Sequence, residues 1–277
     1  MSGAGGPDAG GRSGPGGSER TGGGAGPGGA EGRMSLPADS ALLLEARGVT
    51  MRFGGVTAVK SVDLTLREAE LRCLIGPNGA GKSTFFKILT GQLRPTEGTV
   101  RLRGRDVTGA NPHEIARLGV GIKTQVPNVF NGLTVRENVF IGAGRLGSVR
   151  RAREVVERTL SRLQLEPIAG RIVGQLAHGQ RQWVEIATVL AQEPDLILLD
   201  EPAAGMNHAE VLRTAELIRE ISRTQALVVV EHDMQFIRMI ATTVTVFNQG
   251  SVLMEDEVGR VLADQRVRDV YLGRKAA

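Results

Sequence analysis

The sequence predicts an α/β fold with a mainly parallel sheet, an antiparallel β subdomain on its N-terminal side and a helical subdomain in the middle of the chain. In the second half, short apolar strands alternate with amphipathic helices, which indicates parallel strands joined by crossover helices. Residues 42–76 hold three strand-like segments before the first helix, which favours an antiparallel layer beside that sheet. Residues 134–165 carry a helical pattern.

The individual elements follow from local signals along the chain. Strands are predicted where apolar residues alternate or run over short lengths between glycines and charges, at 42–53, 62–68, 71–76, 98–104, 196–200 and 227–231. Helices are predicted where turn or capping residues precede apolar periodicity, at 84–89, 112–119, 180–191 and 209–222. In the second of these helices, Asn111 is the N-cap and Pro112 stands in the first turn.

The first 33 residues differ from the rest in composition. They are nearly half glycine, with proline, serine and few apolar side chains. Because such a segment buries too little apolar surface to offset the entropy of ordering it, we predict a disordered glycine-rich tail at residues 1–33. Met34 then begins a segment typical of a folded domain, so the tail is either a flexible arm or lies upstream of the true start.

Composition restricts the possible partners. The longest apolar runs, such as Ala226–Glu231, have the length of a strand and fall short of the roughly 18–20 residues that cross a bilayer. Any work at a membrane must therefore go through other proteins. Cys73, the single cysteine, excludes an intrachain disulfide, and its apolar neighbours indicate a buried thiol. The basic residues of 145–162 lack interleaved aromatic residues, so we expect a solvated helix face and no nucleic acid partner.

The segment "GPNGAGKST", Gly76–Thr84 and here called the phosphate loop, follows a strand and precedes a helix. It matches G-x-x-x-x-G-K-[ST] in full, a pattern whose backbone N–H groups and helix dipole bind phosphate. Lys82 is expected to contact the β- and γ-phosphates and Ser83 to bind Mg²⁺. The predicted nucleotide-binding residues of this loop are Gly76, Pro77, Asn78, Gly79, Ala80, Gly81, Lys82, Ser83 and Thr84.

Two acids end the apolar strand "LILLDEP" at Leu196–Pro202. A buried strand would deliver Asp200 to the sheet edge as a Mg²⁺ ligand, and Glu201 would hold the water that attacks the γ-phosphate. Together with the phosphate loop, this strand predicts a P-loop NTPase core.

A second glycine turn, "LAHGQ" at Leu176–Gln180, opens another helix just before the acidic strand. One nucleotide site needs only one such turn, and two make sense if the second binds the nucleotide of another subunit. The order of the motifs resembles the ATP-binding cassette (ABC) family, whose signature sequence is typically L-S-G-G-Q. The resemblance implies two cassettes facing head to tail, with each ATP between one phosphate loop and the other subunit's Ala177, His178, Gly179 and Gln180.

The resemblance extends from Leu42 to the C-terminus and implies an ABC ATP-binding domain at 42–273 with a helical subdomain at about 126–190. Phe53 matches the aromatic residue that stacks on adenine, although a lone phenylalanine is more often a core residue. Gln125 matches a glutamine that contacts Mg²⁺ or the attacking water, and His232 matches the switch histidine. The implied catalytic residues are Glu201, His232, Gln125 and Lys82, and the implied Mg²⁺ ligands are Ser83, Gln125 and Asp200.

Three residues depart from the family pattern. Ala177 replaces the signature serine, which removes one hydroxyl contact to the γ-phosphate. His178 replaces the first signature glycine and is itself able to donate a hydrogen bond to phosphate. Asn207 replaces a common aspartate in the loop "AAGMN", which weakens the expectation of signalling between subunits there.

The chain is similar to the branched-chain amino acid and amide uptake subfamily in the segments "LAHGQRQWVEIA", "DEPAAGM", "VEHDM" and "VYLG". It is similar to the urea-type ATPase of that subfamily in "HGQRQW". This implies a second ATPase subunit, either a copy or a sister protein, two membrane permease subunits and, indirectly, a periplasmic binding protein. It also implies a cytoplasmic location on the inner face of a bacterial membrane. We expect an importer for branched-chain amino acids, with urea or a short-chain amide as the alternative substrate.

Three other classes of protein are alternatives to an importer ATPase. A lipopolysaccharide-export ATPase has a closely related cassette. A soluble cassette protein of DNA repair would carry a long coiled coil between the two glycine turns, and ribosomal ones usually carry two cassettes, whereas this chain has one cassette and no heptad stretch. A small-molecule kinase would leave "LAHGQ" without a role.

A polar, turn-rich stretch follows Gln125 and contains Val129 and Phe130. These two apolar residues either pack between helices or, as the resemblance implies, form a groove that receives a cytoplasmic helix of the permease. Motion of Gln125 on loss of ATP would then reach the membrane through one loop.

Deleting residues 1–33 should leave the melting temperature and the rate of ATP hydrolysis unchanged, because the segment has few side chains that could pack on a domain. The check is thermal unfolding and an ATPase assay of the truncated chain, with the intact mass of the native protein to show whether Met34 is the start. A marked loss of activity would mean that the segment has a binding partner.

Overall fold

The computed structural model describes residues 41–125 and 128–272. The prediction for residues 1–33 lies outside this part of the chain. In the described ranges, no helix has both the length and the apolar character needed to cross a bilayer.

Two sheets organise the described chain. The antiparallel sheet has the order β2-β1-β4-β5, and the larger sheet has the order β10-β9-β3-β8-β7-β6. The strands are β1 Leu42–Phe53, β2 Val56–Arg67, β3 Leu71–Ile75, β4 Glu97–Leu102, β5 Arg105–Asp106, β6 Val120–Lys123, β7 Leu196–Asp200, β8 Ala226–Val230, β9 Thr243–Asn248 and β10 Ser251–Glu257. In the larger sheet, β10 is antiparallel to β9 and every other neighbouring pair is parallel.

Helices cover both faces of the larger sheet. They are α1 Lys82–Leu89, α2 Pro112–Arg117, α3 Val135–Ala143, α4 Val149–Arg162, α5 His178–Leu190, α6 His208–Ile221, α7 Met234–Ile240, α8 Val258–Ala263 and α9 Gln265–Leu272. Because both faces are covered, β3 and β8 are buried along their whole length. β8 is accordingly apolar throughout, and the charged residue of β3, Arg72, is paired with Glu70.

The core has two parts separated by the larger sheet. On one face, α1 packs between that sheet and the antiparallel sheet, with Phe85 and Phe86 fully buried. On the other face, α5, α6 and α7 pack on the sheet, and α3 and α4 pack on α5. The α/β fold with an antiparallel subdomain and a helical layer is therefore as predicted.

Two boundaries differ from the predictions for physical reasons. Strand β2 begins at Val56 rather than residue 62, because irregular pairing with β1 and the positive φ of Ser61, 46°, interrupt the alternation that marks a strand. The helical stretch 134–165 is divided near Gly147, whose φ is 76°, and Ser148 caps the new helix by accepting from the Arg151 N–H.

Candidate active site

The phosphate loop joins β3 to α1, and two of its glycines are required by their surroundings. Gly76 has φ of 148°, and a Cβ there would lie 2.3 Å from the Phe247 carbonyl oxygen. Gly81 has φ of 103°, and a Cβ there would lie 2.5 Å from the Ala58 carbonyl oxygen. Both values are well inside van der Waals contact, so any side chain at either position would displace the loop.

Lys82, the first residue of α1, folds back over its own loop. Its Nζ donates to the carbonyl oxygens of Gly76 at 2.6 Å and Pro77 at 3.0 Å. Burial lowers the pKa of Lys82, and the charges of Glu201 and Asp200 oppose that shift. The ammonium group is thus held by the loop carbonyls and lies in the field of the two acids at the end of β7.

The acidic strand β7 ends beside β8, with Asp200 opposite Val230. Glu201 follows with a positive φ of 46°, and its N–H donates to the Val230 carbonyl at 2.9 Å. This left-handed residue turns the chain out of the sheet at the acidic pair. Burial raises the pKa of Asp200, and the charge of Glu201 raises it further. A cation or a nearby lysine would favour the ionised form of Asp200.

Two predicted catalytic side chains, those of Gln125 and His232, meet the carboxylate of a third, Glu201. Gln125 Nε2 donates to one carboxylate oxygen at 3.1 Å, and His232 Nδ1 lies 3.1 Å from the other. Since a carboxylate only accepts, His232 carries its proton on Nδ1 in this arrangement. The three residues follow β6, β7 and β8, whose carboxyl ends lie together because these strands are parallel neighbours.

Glu231 is a residue near the site that the sequence predictions missed. Its carboxylate is 2% exposed and accepts from the backbone N–H groups of Ala203 at 3.2 Å and His232 at 3.1 Å. Burial raises the pKa of Glu231, although these N–H groups favour the charged form. Glu231 thereby ties the loop after β7 to the loop after β8. An acidic residue at the end of an apolar strand is the signal that identified Asp200, and the segment "VVVEHDM" carries the same signal for Glu231.

The second glycine turn lies at the N-terminus of α5. Ala177, the N-cap, offers no side-chain oxygen, while its own N–H donates to Gln180 Oε1 at 3.3 Å. His178 is exposed, and its Nε2 donates to the Ala204 carbonyl at 3.0 Å. In this arrangement, one ring nitrogen of His178 binds the loop after the acidic strand.

Asn207, the third departure, has a clear local role. Its side chain accepts from the Glu210 N–H at 3.0 Å and caps α6, and Glu210 accepts from the Asn207 N–H in return. This reciprocal capping box fixes the start of α6. A Cβ on Gly179 would meet the Glu210 carboxylate at 2.4 Å, so a side chain there would displace that carboxylate from its capping position.

Phe53 ends β1 with 46% of its surface exposed. A core residue would be covered, so the packing alternative for Phe53 is wrong. An exposed ring at the end of the antiparallel sheet is available for stacking on a base.

The predicted Mg²⁺ ligands offer a hydroxyl, a carboxylate and an amide oxygen, from Ser83, Asp200 and Gln125. Oxygen ligands of this kind suit Mg²⁺, which commonly takes few protein ligands and completes its shell with phosphates and waters. In the described part of the chain, no cluster of three or more His, Cys, Asp or Glu side chains is arranged for a metal ion. The donor set therefore fits a nucleotide-bound magnesium better than a metal held by the protein alone.

The fold and this site define a P-loop NTPase. Residues 59–204 match the family model described as ABC transporter. LivG of Salmonella typhimurium, a high-affinity branched-chain amino acid transport ATP-binding protein, is 38% identical over 249 residues, which cover 83% of this chain and 98% of LivG. The lipopolysaccharide export system ATP-binding protein LptB of Acidithiobacillus ferridurans is 35% identical over 234 residues, covering 83% of this chain and 97% of LptB.

Solved structures agree with the sequence relatives. The ADP conformation of MJ1267, an ATP-binding cassette of an ABC transporter, superposes with a TM-score of 0.76 at 28% identity, covering 85% of this chain and all of that one. The dimeric post-hydrolysis state of the cassette MJ0796 bound to ADP and Pi gives a TM-score of 0.69 at 27% identity, covering 78% and 99%. The chain belongs to the ABC transporter family and is an ATP-binding cassette ATPase.

Proposed function

We propose that this chain is the ATP-hydrolysing subunit of an ABC importer for branched-chain amino acids, with residues 42–273 as the ATP-binding domain and 126–190 as its helical subdomain. The observation that carries ATP hydrolysis is the Glu201 carboxylate, hydrogen-bonded by Gln125 and His232 next to the phosphate loop. The relation to LivG, named for branched-chain amino acid transport, supports the substrate class.

In the proposed mechanism, Glu201 polarises the water that attacks the γ-phosphate. Gln125 and His232 hold its carboxylate in place, one on each oxygen, so little reorganisation is needed when nucleotide binds. Lys82 exchanges its contacts with the Gly76 and Pro77 carbonyls for the β- and γ-phosphates, a replacement of weak acceptors by charged ones. Ser83, Asp200 and Gln125 would hold a Mg²⁺ ion bound together with ATP, and such an ion would supply neutralisation of the phosphate charge.

ATP is proposed to bind to the phosphate loop and Phe53 of one subunit and to the second glycine turn of another. Ala177 and His178 are exposed at the start of α5, which supports a role toward a neighbouring subunit. The solved dimer of MJ0796 is a precedent for pairing of cassettes. The partner ATPase is either a second copy of this chain or a sister protein.

The permease is proposed to dock on the helical subdomain. An apolar groove of about 720 Å³ lies between α3 and α4, lined by residues that include Leu133, Phe140, Ile141 and Val156. Phe130, 56% exposed, stands in the turn just before Leu133. Neither Val129 nor Phe130 lines this groove, and Val129 packs against the core. The groove and the exposed Phe130 together support contact with a cytoplasmic helix of a permease, and a location at the inner face of a bacterial membrane. A periplasmic binding protein would act from the other side.

The test is reconstitution with a branched-chain amino acid permease and its periplasmic binding protein, in vesicles loaded with ATP. We expect leucine-loaded binding protein, added outside the vesicles, to stimulate hydrolysis and leucine to accumulate in the lumen that holds the ATP. If only urea or a short amide stimulates hydrolysis, that compound is the substrate in place of branched-chain amino acids. Copurification with lipopolysaccharide-export permeases would mean that the chain works in export and not in import. If the chain associates with no membrane protein, a soluble cassette role would replace transport.

A further inference from the structure

A buried ion pair lies behind the catalytic cluster and has no part in the mechanism above. Lys123, the last residue of β6, is 3% exposed, and Glu185, in the middle of α5, is 4% exposed. Their charged groups are 3.4 Å apart. Lys123 stands two residues before Gln125 in the sequence.

The same glutamate also holds the other side of the Gln125 segment. Glu185 Oε1 accepts the backbone N–H of Asn128 at 2.7 Å. One carboxylate therefore binds the chain both two residues before and three residues after Gln125. Gln125 itself reaches Glu201 from between these attachments.

Stability does not explain this arrangement. Burial lowers the pKa of Lys123 and raises the pKa of Glu185, each against the attraction of its partner. For both groups, burial thus disfavours the charged form. A buried pair of this kind often contributes no more to stability than two well-packed apolar side chains would.

Helix α5 connects the pair to the second glycine turn. It runs without interruption from His178 to Leu190, so Glu185 and His178 are seven residues apart in one helix, or about 10 Å along its axis. Two turns of continuous helix transmit a displacement as a nearly rigid rod. A shift of Glu185 is therefore a shift of the first turn of α5.

We propose that Glu185 is a positioning residue that ties the chain on both sides of Gln125, at Lys123 and Asn128, to α5. A movement of Gln125 in one ATP site is then accompanied by a reorientation of the second glycine turn toward the neighbouring site. This inference rests on the proposed function of both sites. It predicts that losing the tie impairs turnover while leaving the binding of ATP to the phosphate loop unaffected.

The test replaces both members of the pair by methionine, Lys123→Met with Glu185→Met, in the full chain. The double change removes the tie without leaving a charge unpaired, so the melting temperature should be no lower than that of the wild type. We expect kcat for ATP hydrolysis to fall at least tenfold and KM for ATP to stay within about twofold. Lys123→Met with Glu185→Gln keeps an acceptor for the Asn128 N–H and should recover at least a third of the wild-type kcat.

A matched control is the exposed pair Arg150 and Glu154 on α4, changed to methionine together, which should leave kcat unaltered. If the buried double variant fails to fold, Asn128→Pro removes the donated N–H and leaves the ion pair intact, and its kcat should fall about fivefold. Wild-type kcat in the folded buried double variant, or in Asn128→Pro, overturns the proposal. Glu201→Gln in the same assay separates the two hypotheses, because normal hydrolysis by that variant would overturn the proposed function instead.

Discussion

Glu201→Gln should lower the turnover number for ATP about 10²–10⁴-fold and leave the affinity for ATP close to that of the wild type. The amide keeps the size of the side chain, so the fold around it is preserved. It cannot take up a proton from water, and it cannot accept on both sides from Gln125 and His232 with the strength of a carboxylate. Steady-state hydrolysis and equilibrium nucleotide binding by the purified complex measure the two effects separately.

A second readout of Glu201→Gln is the accumulation of ATP-bound dimers when the correct partner is present, because closure without hydrolysis traps ATP between subunits. Glu216→Gln, an exposed carboxylate on α6, is the matched control and should hydrolyse ATP at the wild-type rate. Near-normal hydrolysis by Glu201→Gln would remove this residue from the catalytic role.

Phe130→Ala should weaken association with the permease by about 2 kcal/mol or more, which is roughly 30-fold in the dissociation constant. The ring is 56% exposed, whereas the backbone beneath it is held by the buried Asn138, which accepts from the Phe130 N–H at 2.7 Å and donates to its carbonyl at 3.1 Å. Removal of the ring therefore alters the surface without loosening the turn. The measurement is copurification with the permease, together with the melting temperature of the isolated subunit.

Leu42→Ala is a suitable control for Phe130→Ala, because Leu42 is also an exposed apolar residue, at 41%, but lies on the antiparallel sheet. It should not affect docking. If Phe130→Ala instead destabilises the isolated subunit by several kcal/mol and the folded fraction still docks normally, the ring is a packing residue and its assignment to the permease contact is wrong.

Much of the fold was predictable because its signals are local. The apolar strand before Asp200 and the glycine pattern of the phosphate loop each lie within nine consecutive residues, and both occur where predicted. Strands β9 and β10 and the C-terminal helices were not predicted individually. β10 is half-exposed and alternates little in burial, so periodicity has little to detect there, whereas β9 is almost wholly buried and its alternating Thr-Val sequence is a strand signal that the predictions did not use.

The sequence by itself determined the chemistry of the site, since a phosphate loop needs only its own backbone, its glycines and one lysine, and these are adjacent in the chain. It also led to the prediction that the second glycine turn serves the nucleotide of another subunit. The tertiary structure alone decided that Gln125 and His232 each hydrogen-bond Glu201, and that Lys123 and Glu185 form a buried pair. Periodicity indicates which face of a helix or strand is buried but not which distant residue lies opposite, because that depends on the order of strands and the packing of α5 across them.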